Sequence, residues 1–262
     1  MKLATWNVNS LNVRLPHVLN WLEANPVDVL CLQELKQPDD KFPLDAFIER
    51  GYQACWAGQK TYNGVAIISR QAGTDIQRNI PGYEDPQQRI IATTLPGIGS
   101  VDELRVISAY CPNGQAVGSD KYAYKLDWYA ALRDWLATEL RRHPHLVILG
   151  DYNVAPADED VHDPQAWEGD ILVSAPERAA LQSLFDLGLA DTFRLFDQAP
   201  QSFSWWDYRR FAFRRNAGVR IDHVLSSPQL TARCTACVID KTPRAWEKPS
   251  DHAPVIASFE LT

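Results

Sequence analysis

Leu146-Val147-Ile148-Leu149-Gly150-Asp151-Tyr152-Asn153 is a short aliphatic run that stops on a glycine and then presents a carboxylate and an amide two residues apart. Four consecutive aliphatic residues bounded by glycine read as a strand buried on both faces, with the polar pair standing at its end. The layout recurs along the chain. Trp6-Asn7-Val8-Asn9 ends one apolar run with two amides, and Val29-Leu30-Cys31-Leu32-Gln33-Glu34 ends another with a carboxylate. Val106-Ile107-Ser108-Ala109-Tyr110-Cys111-Pro112-Asn113 runs into a tyrosine and an amide. Val219-Arg220-Ile221-Asp222-His223 carries an aspartate within the pattern, and Ser250-Asp251-His252-Ala253-Pro254 sets Asp-His before the last apolar run. Strand ends are where a scaffold offers its working side chains.

Strands are expected at 3–8, 27–32, 64–69, 104–110, 146–149, 203–206, 219–225 and 255–259. Helices are expected at 15–24, 122–142 and 176–187, where apolar residues recur at spacings of three and four. Strands of this number, only partly separated by helices, indicate an α/β protein with two packed sheets and helices outside. No repeat, low-complexity tract or linker divides the chain, so 1–262 reads as one domain.

Composition sets the class. With 45% hydrophobic and 23% charged residues the chain can bury a core, which excludes a disordered, collagen-like or coiled-coil protein. No apolar run approaches the roughly 18 residues of a spanning helix, and the N-terminus lacks a signal-peptide layout. A soluble, cytoplasmic protein without a membrane partner is expected, and five cysteines fit a reducing compartment. Twenty-six basic against 33 acidic residues give a net charge of −7, which argues mildly against a non-specific nucleic-acid binder. Carboxylates gathered round a metal would lower the formal charge while a local basic rim still receives phosphate.

Each polar strand end also has a structural reading. A carboxylate after a strand can cap a helix or make a turn, Asp151-x-Asn153 can be an Asx-turn, and Asp251-His252 can be a hydrogen-bonded loop pair. Six such ends in one chain point to chemistry if they converge. The runs Trp-Asn-Val-Asn-Ser-Leu, Leu-Gln-Glu-Leu-Lys, Tyr-Asn-Gly-Val-Ala-Ile, Gly-Asp-Tyr-Asn-Val-Ala-Pro, Arg-Ile-Asp-His-Val-Leu and Lys-Pro-Ser-Asp-His-Ala-Pro-Val resemble the exonuclease III family of DNA-repair nucleases. They occur in that family's order and span Asn7 to Val255.

The resemblance implies the endonuclease/exonuclease/phosphatase (DNase I-like) fold, a four-layer α/β sandwich of two mixed sheets flanked by helices. It implies Mg²⁺ or Mn²⁺ as cofactor and hydrolysis of phosphodiesters in double-stranded DNA bearing abasic sites or 3′ ends, by a monomer. Glu34 matches the main metal ligand, with Asn7 and Asp251 close to the metal. Asp151 matches the residue that activates or orients the attacking water, with Asn153 beside it. His252 matches a histidine held against the scissile phosphate and oriented by Asp222, and Tyr110 matches the active-site tyrosine. Asn9 and Asn113 match further polar contacts, and Trp205 a wall of the pocket for an extruded sugar.

Elementary chemistry agrees with these roles. A hard divalent cation prefers oxygen ligands and needs one or two carboxylates plus substrate phosphate. No Cys/His set with zinc spacing competes. Charge builds on the phosphate oxygens during cleavage, so a metal and a cationic donor should face them, and an Asp222–His252 pair would supply the donor. Asp151 as base and Asp151 as orienting acceptor remain open alternatives.

For DNA contact, Lys60, Arg89, Arg209, Arg210, Arg214 and Arg215 are the basic candidates. The run 208–215 interleaves arginines with aromatics, a pattern that can seat phosphates and stack on bases, or can be a solvated loop over a buried cluster. One stretch departs from the family pattern. Leu172-Val173-Ser174-Ala175-Pro176-Glu177-Arg178 puts a leucine where that pattern has a small residue and a valine where it has an aromatic. A larger side chain near the phosphate favours 3′→5′ exonuclease and end-trimming activity over internal abasic-site incision. The acidic loop 158–163 points the same way. Cys234-x-x-Cys237 and His143-Pro144-His145 read as structural, and Gly114 and Gly118 have no phosphate-cradling pattern around them. Two rivals stand beside the nuclease: a phosphatase or phosphodiesterase of the same fold acting on a non-DNA substrate, and a regulatory binding protein without catalysis.

Overall fold

A computed structural model describes residues 1–261; Thr262, the last residue of the expected domain, lies outside them. Twelve strands form two six-stranded sheets. The first sheet has the order β11(Cys234–Ile239), β12(Val255–Phe259), β1(Lys2–Asn7), β2(Val29–Gln33), β4(Val65–Ser69), β3(Gln53–Ala57). The second runs β5(Thr74–Arg78), β6(Ile90–Ile98), β7(Val101–Tyr110), β8(Leu146–Asp151), β10(Asp222–Ser226), β9(Ala190–Asp191). Each sheet is mixed, because β1 pairs in parallel with β2, and β7 with β8, while their other neighbours run antiparallel.

Side-chain alternation explains the layers. In β1, Leu3 faces the second sheet, whereas Ala4 and Trp6 face α1(Leu11–Ala24). In β8, Val147 and Leu149 enter the core between the sheets, and Leu146 and Ile148 pack on α3(Asp120–Arg142) and α4(Ala175–Phe185). Central strands buried on both faces must be apolar throughout, which is why they read as unbroken aliphatic runs. The short α2(Leu44–Ile48) seats Phe47 beside α1, and α5(Pro228–Thr231) follows β10. The order helix, sheet, sheet, helix is the four-layer sandwich.

The sequence reading needs correction at several elements. Residues 203–206 form no strand; Trp205 makes only isolated bridges to Val219 and His252. Ser204 explains it: its hydroxyl donates to Asp222 and accepts from the Ile221 and Asp222 amides, so the segment is clamped by a side chain between two loops. The expected 219–225 strand begins at Asp222 and ends at Ser226. The α1 helix starts at Leu11, a turn earlier than expected, since Ser10 (φ 89°) makes no side-chain cap and leaves no signal. Strands β3, β5, β6, β9 and β11 were not expected. Exposed residues along β5 and partial burial along β3 and β11 blur their apolar runs, and Thr93, Thr94 and Pro96 interrupt that of β6.

Candidate active site

Topology brings the polar strand ends to one edge. Asn7 ends β1 and Glu34 follows its parallel partner β2, while Tyr110 and Asp151 end the parallel pair β7 and β8 in register. Asp222 opens the antiparallel β10 directly opposite Asp151. Asp251 and His252 come just before β12, which runs antiparallel to β1, so they fall at the same edge. A cavity of about 790 Å³ opens there, lined by Glu34, Tyr110, Asp151, Asn153, Asp251 and His252 among others.

The turns that leave these strands are strained. Asn9 (φ 44°), Glu34 (φ 56°) and Asn153 (φ 51°) lie in the left-handed region, easy for asparagine and costly for glutamate. For Glu34 the conformation is stabilised by neighbours: Tyr110 donates its hydroxyl to Oε1 at 2.9 Å and Asn7 Nδ2 donates to the same oxygen at 3.0 Å. Asn7 Nδ2 also reaches Asp151 Oδ2 at 2.9 Å, so one amide spaces two carboxylates. Its Oδ1 is turned back to accept from the Asn9 amide.

Behind the cavity wall lies a buried chain of polar contacts. His252 Nδ1 meets Asp222 Oδ2 at 2.9 Å, and Ser204 donates to that carboxylate at 2.7 Å. His252 Nε2 points toward Asp151 Oδ2 at 3.7 Å. Burial alone would lower the His252 imidazole, but the Asp222 and Asp151 charges outweigh it and raise its pKa to about 10. Burial raises the Asp151 carboxyl to about 7, against the His252 cation and with Asp222 adding to the rise. Burial, with the Glu34 and Asp151 charges, holds the Tyr110 phenol well above its ordinary value, leaving a neutral donor. For Asp251, burial is outweighed by the His252 charge and by hydrogen bonds from Trp205 Nε1 and Asn9 Nδ2, each 3.0 Å, which keep it a carboxylate.

Two groups of side chains can hold a cation. Asp151, Asp222 and His252 place ligand-type atoms within 4.8 Å of one another. Within this group, however, the His252 nitrogen nearest Asp222 and the Asp222 carboxylate are spent on each other and on Ser204. The second group is Glu34 and Asp251, both lining the cavity, with Asn9 donating to Asp251 beside them. There the Lys36 ammonium sits 2.7 Å from Glu34 Oε2 and 2.6 Å from Asn9 Oδ1. An ammonium filling that place marks it as a cation position, and an all-oxygen donor set suits a hard ion.

The remaining sequence candidates divide. Asn113 donates to Asn153 Oδ1 at 3.0 Å, and Asn153 N–H closes an Asx-turn on Asp151 at 2.9 Å, so Asp-x-Asn is a turn whose two polar residues both line the cavity. Trp205 lines the cavity as a wall, and the exposed Arg209 and Arg210 form its rim, Arg209 tied to Asp207. Arg215 lines the cavity too, while Arg214 is exposed beside it. Lys60 stands apart, exposed on a loop whose neighbours line a second cavity of about 580 Å³. Arg89 is buried, bonded to Tyr110 O, Gln87 and Tyr124, and lines that second cavity. His143 pairs with Glu103, and both Cys234 and Cys237 are free thiols on β11.

The cavity residues His162 and Trp167 escaped the sequence reading, as did Lys36, which pairs with Glu34. Lys36 sits two residues after Glu34 in a run already singled out. The other two lie in an irregular loop, where Trp167 meets Trp205 edge-on at 6.5 Å, and no periodicity could have flagged them.

Comparison with known proteins joins these observations. The profile of the Endonuclease/Exonuclease/phosphatase family matches residues 4–252. Exodeoxyribonuclease III of Haemophilus influenzae is 38% identical over 99% of this chain and 100% of its own length. Among solved structures, a 3′ phosphatase from Neisseria bound to product DNA hairpin is 49% identical, with a TM-score of 0.95 and 99% of each chain covered. An AP endonuclease from Archaeoglobus fulgidus is 36% identical, with a TM-score of 0.93 and 99% of each chain covered. Since the matched region runs from the first strand to His252 and both sheets superpose on these relatives, the chain belongs to the Endonuclease/Exonuclease/phosphatase family.

Proposed function

We propose that this chain is a DNA-repair nuclease of the exodeoxyribonuclease III type that hydrolyses phosphodiesters and 3′-terminal phosphates in duplex DNA with Mg²⁺ or Mn²⁺. The reading takes residues 1–262 as one catalytic domain, working as a cytoplasmic monomer; among the described residues no helix is long and apolar enough to cross a membrane. The observation that carries it is the meeting of Glu34, Asp151, Asp251 and the Asp222–His252 pair on one cavity.

Each side chain has a part. Glu34 and Asp251 would hold the cation, which would supply Lewis acidity toward the phosphate oxygens, and Asn7 keeps Glu34 apart from Asp151. His252, held as imidazolium by Asp222, donates from Nε2 to a non-bridging oxygen as negative charge builds there. Asp151, poised by burial near neutrality, takes the proton of the attacking water, and Asn153 and Asn113 fix its orientation. Tyr110 steadies Glu34 from the opposite side. Trp205, Arg209 and Arg210 receive the nucleotide and its flanking phosphates, with Asn9 in contact at the metal side and Lys60 reserved for DNA passing over the adjoining loop.

Leu172 sets the balance of activities. It is 4% exposed, lines the cavity and holds a left-handed backbone (φ 76°) that favours glycine. Its bulk narrows the space that an abasic sugar within a continuous strand must enter, whereas a free 3′ end approaches from one side. Action at 3′ ends therefore outweighs internal incision.

The test is release of inorganic phosphate from a duplex ending in a 3′-phosphate, with a soluble inositol phosphate as the non-DNA comparison. Turnover on DNA should vanish in EDTA and return with Mg²⁺. Hydrolysis of the inositol phosphate alone would transfer the assignment to a non-DNA phosphatase.

A further inference from the structure

Behind the cavity, and outside its lining, two charges are completely buried. Lys125 in α3 and Glu177 in α4 form an ion pair whose side chains are both fully shielded from water. The Lys125 ammonium also donates to the backbone carbonyls of Asn153 at 2.7 Å and Asn113 at 3.1 Å, which uses all three of its protons. Glu177 accepts from the Leu172 amide at 3.1 Å, the Ser174 amide at 3.2 Å and the Ser174 hydroxyl at 2.6 Å. Three loops thus converge on one pair, and each delivers a residue to the cavity: Asn113 after β7, Asn153 after β8 and Leu172 before α4.

The tie has a conformational consequence. Leu172 holds a left-handed backbone that is costly for a residue with a branched side chain and persists only where surrounding contacts over-determine it, whereas Asn153 adopts the same region at little cost. A β-carbon on Gly114 would meet Lys125 Cδ at 3.1 Å and Ile171 Cδ1 at 3.0 Å, so the lysine stem also packs the turn between the first and third loops. Burying two charges brings a desolvation cost that apolar packing between α3 and α4 would avoid. Stability alone does not account for the pair.

Resting on the nuclease reading above, we infer that Lys125 and Glu177 are positioning residues for DNA hydrolysis. Lys125 sets Asn153 and Asn113 against Asp151, and Glu177 locks Leu172 into the wall that discriminates 3′ ends from internal abasic sites. Neither touches substrate.

The test uses the full chain with both charges removed together, Lys125→Met with Glu177→Gln, which keeps side-chain size and leaves no unpaired buried charge. Without DNA, amide exchange at Leu172 and Ser174 should quicken by about tenfold or more as the loop is released. With Mg²⁺, kcat for 3′-phosphate release should fall by about tenfold while KM stays within about threefold, the mark of misplaced groups rather than lost binding. The ratio of abasic incision to 3′-phosphate release should rise, and adding Leu172→Gly should raise it less than in the parent, since the wall is already loosened.

A purely structural pair would lower both activities equally and leave the ratio unchanged; that result, or unchanged exchange at Leu172, overturns the inference. Should the double variant not fold, Ser174→Ala, which removes the hydroxyl hold on Glu177 while leaving the ion pair intact, carries the same comparison. If the parent hydrolyses no DNA while exchange still quickens, the nuclease reading fails and the hold on the loops stands.

Discussion

At the scale of single residues, the decisive charge is on His252. Asp222 raises its pKa above the ordinary histidine value of about 6.5 to about 10, so the ring should still carry two N–H protons at pH 8 in the metal-free protein. Nitrogen NMR of the ring would show this, and Asp222→Asn should return it to the neutral form. Because the folded pKa is the higher one, this group's stabilisation is complete below about pH 6.5 and is lost as pH rises through about 10. Leu172 is the second residue to probe. Leu172→Gly removes both the bulk and the left-handed strain, and should raise abasic incision relative to 3′-phosphate release by about tenfold, or about 1.4 kcal/mol of differential barrier. An unchanged ratio in a two-substrate assay would remove Leu172 from the account.

At the scale of elements, the sequence disclosed those whose burial left a continuous signature. The runs of β1, β2, β4, β8 and β12 are apolar because both their faces are covered, and Val255–Phe259 is found where the reading placed it. Edge strands β3, β5 and β11 were illegible because most of their side chains are exposed or only partly buried. The segment at 203–206 misled for the opposite reason. Phe203 and Trp206 are buried like strand residues, but the backbone between them is fixed by the Ser204 hydroxyl and by single bridges. Ser204→Ala would leave the Ile221 and Asp222 amides without that acceptor and the Asp222 carboxylate with His252 as its remaining side-chain donor. We expect a loss of about 2 kcal/mol in urea unfolding, with a fall in kcat as His252 loses its orientation. Full stability in that variant would show that the clamp is dispensable.

At the scale of the whole molecule, two parallel strand pairs and the antiparallel strands beside them bring their ends to one edge. Six separately weak sequence signals thereby become one site. Glu34, Asp151, Asp222, Asp251 and His252 were legible because each follows or opens a strand. What could not be read is the support behind them. Lys125 and Glu177 look like ordinary helix-surface residues in the sequence, and their burial depends on how α3 and α4 pack over β8. Trp167 and His162 reach the cavity from a loop with no pattern at all. The net charge of −7 was a poor guide to substrate for a related reason. Acidic residues gather in the site and in the 158–163 loop, while Arg209, Arg210 and Arg215 stand together on one rim.

The preference proposed for this cavity, DNA 3′ ends over internal abasic sites, can be read from a 5′-labelled duplex carrying one internal abasic analogue, incubated with the protein and Mg²⁺ and resolved on a denaturing gel. A ladder descending from the 3′ end, absent with Asp151→Asn, is the predicted result. A single cut at the lesion would contradict the assigned preference, and no product from either protein would contradict the nuclease itself.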